Sequence, residues 1–212
     1  THLLIMKEST TENLILKAAE EEFQTKGFAG ATTTSIAERA GVTHTMLHYY
    51  FRTKKNIFYR IFEEKIKLFS QLLADIFSNK DMPLSARLEL LINKHFELLQ
   101  NNPMLPWFIV NEIVSSPERT SILQNKMRSI ISRHLPTLQH ELDTLASQKQ
   151  IEKISASDLF IDILLLNVSL FIYMPIFKNI FPEETANEDK FLNARKQENI
   201  RLIIARLKLH EQ

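Results

Sequence analysis

Glycine is scarce in this chain, and its distribution limits the folds that the sequence can adopt. The 212 residues include three glycines, Gly27, Gly30 and Gly41, and none follows Gly41. Tight β-hairpin turns need residues that accept a positive φ, so a hairpin-rich β fold is disfavoured. The same scarcity excludes the glycine-rich phosphate-binding loops and the G-x-S-x-G nucleophile elbow. We therefore expect an all-α fold.

Residue types and motifs that the chain lacks exclude several classes of function. The chain has no cysteine, which excludes disulfide scaffolds, Cys-containing zinc sites and thiol catalysis. No acid–base pair or nucleophile arrangement stands out, so we expect neither an enzyme nor a cofactor. Residues 1–6 have too short an apolar run for a signal peptide and no methionine at position 1, which leaves open whether they are native. We expect a cytoplasmic protein.

Capping and stop signals predict about nine helices. Ser9 and Glu12 form a capping box for the first helix, and Gly27 is placed to end it with a contact between Phe23 and Phe28. Later helices are expected to begin at Thr43, Thr53, Pro83, Ser155 and Asn187. We expect Pro136 to kink or split its helix and residues 181–189 to form a loop.

The segment from Ala37 to Leu47 has the spacing of a helix-turn-helix. Two helices that cross closely need a small residue on the first helix, a glycine in the turn and a buried apolar residue on the second, and here Ala37, Gly41 and Leu47 fill these positions. Residues 41–60 carry four basic residues and no acidic one, although the whole chain has a net charge of +1. The spacing alone also fits an ordinary helical hairpin, and the charge alone also fits a solvated face. Together with the caps they favour DNA binding.

His44 and His48 are four residues apart on the second helix of this motif, a spacing that metal ligands use. Thr45 stands where a zinc-protease motif needs a glutamate, and no third ligand is evident. We therefore expect these histidines to face DNA rather than a metal ion.

Three segments together resemble the DNA-binding domain of tetracycline-repressor (TetR-type) regulators. They are Glu21-Glu22-Phe23 to Gly27-Phe28, Thr32 with Ile36 to Thr43, and Leu47 to Lys54. The resemblance implies an all-α homodimer with a three-helix head at residues 1–53 and a larger ligand-binding and dimerisation body at residues 54–212, in which helix 54–79 is the connector. It also implies a repressor that a small molecule releases from a near-palindromic DNA operator.

Carried over by position, the resemblance assigns the DNA contacts to residues around the second helix of the motif. The recognition-helix contacts are Thr43, His44, Thr45, His48 and Tyr49, and the phosphate contacts are Thr33 and Lys54. His48 stands where the family usually has tyrosine, and Lys55 stands where it usually has glutamate. The operator sequence is therefore not predicted.

The body contains aromatic, methionine and isolated polar side chains that suit a site for an apolar or amphipathic effector. The candidate ligand-binding residues are His95, Met104, Trp107, Phe108, Asn111, Phe171 and Met174. Ordinary core packing would use the same residue types, so both interpretations stay open.

Residues 159–177 resemble a membrane span in hydrophobicity, but Asp162 and Asn167 interrupt them. Because such polar groups are costly in lipid, we expect a buried helix instead. We also expect this helix and the last one, with its apolar stripe around Ile203, to form a four-helix bundle between two copies.

A second function class remains possible from the sequence. The chain would then be an all-helical small-molecule carrier or enzyme in which the helix-turn-helix is only architecture. A gel-shift assay at several salt concentrations separates the two, because a carrier would not retard a specific DNA sequence.

Overall fold

The computed structural model describes residues 2–79, 81–103, 105–107, 109–110 and 117–208. These residues form helices and no strand, which confirms the all-α prediction. The helices are α1 (His2–Gly30), α2 (Thr33–Ala40), α3 (His44–Phe51), α4 (Lys54–Ser78), α5 (Leu84–Gln100), α6 (Pro117–Ser147), α7 (Ala156–Ile180), α8 (Pro182–Thr185) and α9 (Glu188–Leu207).

Contacts within the chain define two compact units. The first, called the head here, comprises residues 1–68 and 102–108, and the second, called the body, comprises residues 69–101 and 109–212. The division falls inside α4, whereas the boundary expected from the sequence, at residues 53 and 54, coincides with the start of that helix.

In the head, Gly27 interrupts α1 with φ 69° and ψ 170°, a backbone conformation that glycine adopts without a steric penalty. The chain then resumes a helical path to Gly30 instead of stopping at Gly27. The rings of Phe23 and Phe28 lie 5.5 Å apart between centroids, and both contact the ring of Phe58. The predicted Phe23–Phe28 contact is confirmed, but α1 begins at His2 rather than at the expected cap.

The crossing of α2 and α3 follows the predicted helix-turn-helix. Gly41 adopts the left-handed conformation, with φ 67° and ψ 29°, and its N–H caps the end of α2. Thr43 begins α3 by accepting a hydrogen bond from the backbone N–H of Met46 at 3.1 Å. Ala37 and Leu47 are both buried, which confirms the predicted small–glycine–apolar crossing.

Glu22 is a buried carboxylate that ties α1 to α2. It accepts hydrogen bonds from Arg39 Nε at 2.8 Å and Ser35 Oγ at 2.9 Å, and it forms an ion pair with Lys26 at 2.8 Å. The pKa of Glu22 is lowered to about 2, mainly by the hydrogen bond from Lys26 and, to a smaller extent, by the one from Arg39. The carboxylate is therefore charged at neutral pH. Because a buried carboxylate is costly unless it is paired and hydrogen-bonded, the contacts from Arg39 and Ser35 of α2 fix that helix against α1.

The body buries two apolar clusters. The larger joins the end of α4 to α5, α6, α7 and α9, and it includes Leu88, Leu142, Leu159 and Ile203. The smaller joins α5, α7 and α9 through Phe96, Leu99, Leu170, Phe171, Met174 and Leu192. Ile203 is therefore a core residue of its own chain, and its expected place between two copies was wrong.

Two further local expectations are corrected at least in part. Pro136 lies inside α6, which continues past it to Ser147, so the helix is not split there, and the alternative of a kink stays a prediction. Residues 181–189 do not form a plain loop, because Pro182 begins the short helix α8. The predicted caps Ser155 and Asn187 are confirmed, since each side chain accepts a hydrogen bond from a backbone N–H in the first turn of its helix.

Candidate functional site

The outer face of α3 is polar and exposed. His44, Thr45, Met46, His48 and Tyr49 are all exposed, and Tyr49 retains 74% of its surface. The buried side chains of the same helix are Leu47 and Phe51, which anchor it in the head. The sequence-predicted contact residues of α3 thus share one accessible face, and the anchoring residues lie on the other side.

Thr33, at the start of α2, is linked to this face. Its hydroxyl lies 3.0 Å from Nε2 of His44, and the His44 and His48 rings are 6.5 Å apart between centroids. The structure therefore brings Thr33, His44 and His48 together. Within the described part of the chain, no group of three or more His, Asp or Glu side chains could hold a metal ion.

Lys54, the first residue of α4, contacts backbone carbonyls of the head. Its ammonium donates hydrogen bonds to the oxygens of Phe28 at 2.6 Å and Ala31 at 2.7 Å. It also lies 4.6 Å from the centroid of the Phe28 ring, within the range of a cation–π contact. The resemblance implies that Lys54 contacts a DNA phosphate. The structure shows that its ammonium also hydrogen-bonds the backbone of the head.

These two carbonyls need a donor because of the way α2 is capped. In a continuous helix they would accept hydrogen bonds from the backbone N–H groups of Thr32 and Ser35. Instead, the N–H of Thr32 donates to Ser35 Oγ at 3.2 Å, and the N–H of Ser35 donates to Thr32 Oγ1 at 3.0 Å. The capping box of α2 therefore diverts both N–H groups, and Lys54 replaces them.

The predicted effector residues that the structure describes belong to two different units of the chain. His95, Phe171 and Met174 are buried in the body. Trp107 belongs to the head and keeps 37% of its surface exposed. Met104, Phe108 and Asn111 lie outside the described residues.

His95 ends a row of buried polar side chains that crosses the body. Asn199 donates to Asn167 Oδ1 at 3.0 Å, and Nδ2 of Asn167 lies 3.3 Å from both His95 Nδ1 and the oxygen of Ile92. Burial lowers the pKa of His95 to about 4, so its ring is neutral at pH 7. Since Nδ1 accepts from the amide, the proton of the neutral ring is on Nε2. Sequence reasoning missed Asn167 and Asn199 as members of this row.

An apolar cavity lies between α4, α5, α6 and α7 of the body. Its lining includes Leu73, Leu88, Leu159 and Ile163, and one polar residue, His134. Its volume is about 20 Å³, whereas ligand pockets are usually about 300–1,000 Å³. As it stands, it is a packing gap that a larger apolar ligand would have to open.

Arg87 is a further buried residue that sequence reasoning missed. Its side chain is 1% exposed. The sequence indicates this burial, because Arg87 interrupts an apolar stripe in which Leu84, Leu88 and Leu91 follow helical spacing. A charged residue at such a position is seldom buried without a partner. Here the partner is the carboxylate of Glu141.

Comparisons with known proteins agree with the head geometry. Residues 15–71 match the family model described as bacterial regulatory proteins, tetR family. A fatty acid metabolism regulator protein of Bacillus subtilis is 28% identical over 124 residues, which cover 58% of this chain and 62% of that relative. The match thus spans less than two thirds of the relative's length.

Two solved structures share the fold. FadR from Bacillus subtilis in complex with stearoyl-CoA has a TM-score of 0.61 and 21% identity, covering 93% of this chain and 98% of that one. A TetR/AcrR-family transcriptional regulator from Thermobifida fusca has a TM-score of 0.64 and 18% identity, covering 89% of this chain and 96% of that one. At these identities the likeness establishes the fold.

Replacing Lys54 tests its structural role. Lys54→Met keeps much of the side-chain volume but leaves the carbonyls of Phe28 and Ala31 without their donor, so we expect the free energy of unfolding to fall by about 1–3 kcal/mol. Urea denaturation measures this change. Lys55→Met, at the next position of α4, is the control and should cost less. If Lys54→Met leaves stability unchanged and alters only the salt dependence of DNA binding, the lysine is a phosphate contact alone.

Proposed function

We propose that this chain, whose residues 15–71 match the tetR family of bacterial regulatory proteins, is a sequence-specific DNA-binding transcriptional regulator of that family. The observation that carries the proposal is the exposed polar face of α3, presented by a buried helix-turn-helix crossing. A single helix with such a face fits the major groove of B-DNA. The basic, acid-free segment 41–60 supplies the charge that attracts the phosphate backbone.

Different side chains of this face suit different parts of the DNA. Thr45, His48 and Tyr49 are exposed along α3 and can reach base edges through hydrogen bonds or apolar contacts with thymine methyl groups. The hydroxyl groups of Thr33 and Thr43 stand at the starts of α2 and α3, where helix N-termini commonly approach phosphates. Lys54 acts mainly by holding the end of α1 in place, and we assign the phosphate contact beside it to Lys55, the next residue of α4.

Single substitutions on α3 test the assignment. The operator is first recovered by selection from a random duplex library with the purified protein. Tyr49→Ala and His48→Ala should each weaken binding to it by about 1–3 kcal/mol and relax the sequence preference. Fluorescence anisotropy at several salt concentrations measures both effects.

Lys55→Met is the matched control for these two variants. It should weaken binding to every duplex and lower the salt slope by about one, without changing the sequence preference. Failure to recover any preferred sequence, or unchanged preference in both α3 variants, would contradict DNA readout by α3 and would favour an all-helical carrier.

We further propose that two copies pair through α7. One face of this helix is buried in its own body, while Ile161, Leu165, Tyr173, Ile176 and Ile180 are exposed. Leu202 of α9 is also exposed. A second copy can cover these residues with the same helices, which gives a four-helix bundle with two-fold symmetry. Two heads would then reach successive major grooves, so the operator should be near-palindromic.

A lipid bilayer is the other environment that α7 could enter. Within the described chain this helix alone is long and apolar enough to cross a membrane, by length and composition. However, Asp162 forms an ion pair with Arg206 of α9, and Asn167 hydrogen-bonds Asn199. Lipid disfavours charged groups, and α7 is packed against α5 and α9 of the body on its other side, so pairing between copies is the better explanation.

Leu165→Glu tests the pairing. Leu165 keeps 58% of its surface exposed in one copy, so the substitution spares the core but places a charge between two copies. Light scattering should give a dimer mass for the unmodified protein and a monomer mass for the variant. Leu68→Glu, at a similarly exposed leucine of α4, should remain dimeric. A dimer mass for Leu165→Glu, or flotation of the unmodified protein with phosphatidylcholine vesicles, would contradict the proposal.

We also propose that the body holds an effector site for a long-chain acyl compound. FadR of similar fold was solved with stearoyl-CoA, and in the body of this chain the buried His95 directly precedes Phe96, which packs in one apolar cluster with Phe171 and Met174. We propose that an acyl chain opens this cluster and that binding lowers DNA affinity. The ligand can do so only by its different affinities for the two states of the protein.

Stearoyl-CoA is the probe for this proposal. Added to the complex with the selected operator, it should release the DNA, and octanoyl-CoA should be less effective because it buries less apolar surface. Coenzyme A without an acyl chain is the control and should leave the complex intact. Release by coenzyme A alone, or no release by stearoyl-CoA, would refute an acyl effector while leaving DNA binding intact.

A further inference from the structure

A second cavity of the body lies at the start of α5. Arg87, in its lining, is eight residues before His95 and therefore about 12 Å from it along the helix. The volume of this cavity is about 410 Å³, which is within the usual range for a small-molecule site. The lining comes from the first turn of α5, the end of α6, the segment after α6 and the end of α9. All of these elements belong to the body.

Arg87 is the unusual residue of this cavity. Its side chain lines the cavity yet is 1% exposed. Nε donates to the oxygen of Met82 at 3.0 Å, and Nη2 pairs with Glu141. Nη1 is buried and has no hydrogen-bond partner among the described residues. A buried guanidinium with an unused N–H group is costly unless something else satisfies it.

The start of α5 supplies a second, independent set of donors. Pro83 occupies the N-cap position, and no side chain caps the helix there. The first backbone N–H groups of an α-helix have no partner within the helix, and they carry the positive end of its dipole. Leu84 and Ser85, in this first turn, line the same cavity as Arg87. Helix N-termini of this kind bind anions.

The remaining lining fits a molecule that is anionic at one end and apolar along the rest. The charged residues of the lining are Arg87, Lys208 and Glu141, which leaves one positive charge in excess. Leu145, Ile151, Ile204 and Leu207 make the other walls apolar. A purely inorganic anion would leave these walls unused, and a neutral lipid would leave Nη1 unsatisfied.

We propose that this cavity binds an amphipathic anion, a compact carboxylate or phosphate group attached to a short apolar chain. The anionic group accepts hydrogen bonds from Arg87 Nη1 and from the first turn of α5, and Lys208 at the rim adds a screened attraction. The site is separate from the His95 row and does not depend on DNA binding.

Calorimetric titration of the full chain in the absence of DNA tests this site. Octanoate and octyl phosphate are the probes for the two sources of negative charge, and the tighter of the two identifies the source. Octanol, of equal chain length but neutral, should bind at least tenfold more weakly. Equal affinity for octanol, or no heat with either anion at millimolar concentration, would overturn the proposal.

Variants then locate the binding site. Arg87→Gln should abolish anion binding, with circular dichroism to verify that the helices persist. If that variant does not fold, Lys208→Gln decides the matter, because it changes only an exposed side chain at the rim. It should weaken binding three- to tenfold, and more strongly at low salt. Lys190→Gln, an exposed lysine at the opposite end of α9, is the matched control. Equal affinities in Lys208→Gln and Lys190→Gln would place the anion elsewhere.

Discussion

The hydrogen bonds of the Lys54 ammonium hold together the part of the head on which α3 depends. The kink at Gly27 turns the end of α1, and the capping box of α2 then uses the N–H groups that would have satisfied Phe28 and Ala31. One side chain from α4 restores both hydrogen bonds and stacks on the Phe28 ring. The end of α1 and the start of α2, to which α3 is joined by the turn at Gly41, are therefore coupled to the first residue of α4.

Most of the head could be predicted from the sequence because its determinants are local. Gly41 and Thr43 act within four residues of their own positions, and the Ala37–Leu47 crossing needs only a short turn. Lys54 shows the limit of such reasoning, because its partners are more than twenty residues away and are backbone atoms, which carry no sequence signal. The sequence identifies Lys54 as a candidate functional residue, but it does not predict which atoms the side chain contacts.

The body was predicted less well, for the same physical reason. Helical periodicity indicates that a face of α9 is buried, but it does not tell whether its own chain or a second copy covers that face. Ile203 was assigned to the second copy and packs in the core of its own body. Asn167 and His95 belong to one hydrogen-bonded row although seventy-two positions separate them. Arg87, by contrast, interrupts an apolar stripe and could have been recognised.

The apolar residues of α7 fall into a buried set on one face of the helix and an exposed set on the other. On the inner face, Leu159, Ile163 and Phe171 are buried, and Asn167 has its hydrogen bonds satisfied within the body. On the outer face, Leu165 and Ile176 remain exposed although they are as hydrophobic as the buried set. Contiguous exposed apolar side chains of this kind mark interaction surfaces in soluble proteins, and the pairing proposed for α7 would cover them. A ligand that moved the inner face of α7 would thus also act on the outer one, because both faces belong to one continuous helix.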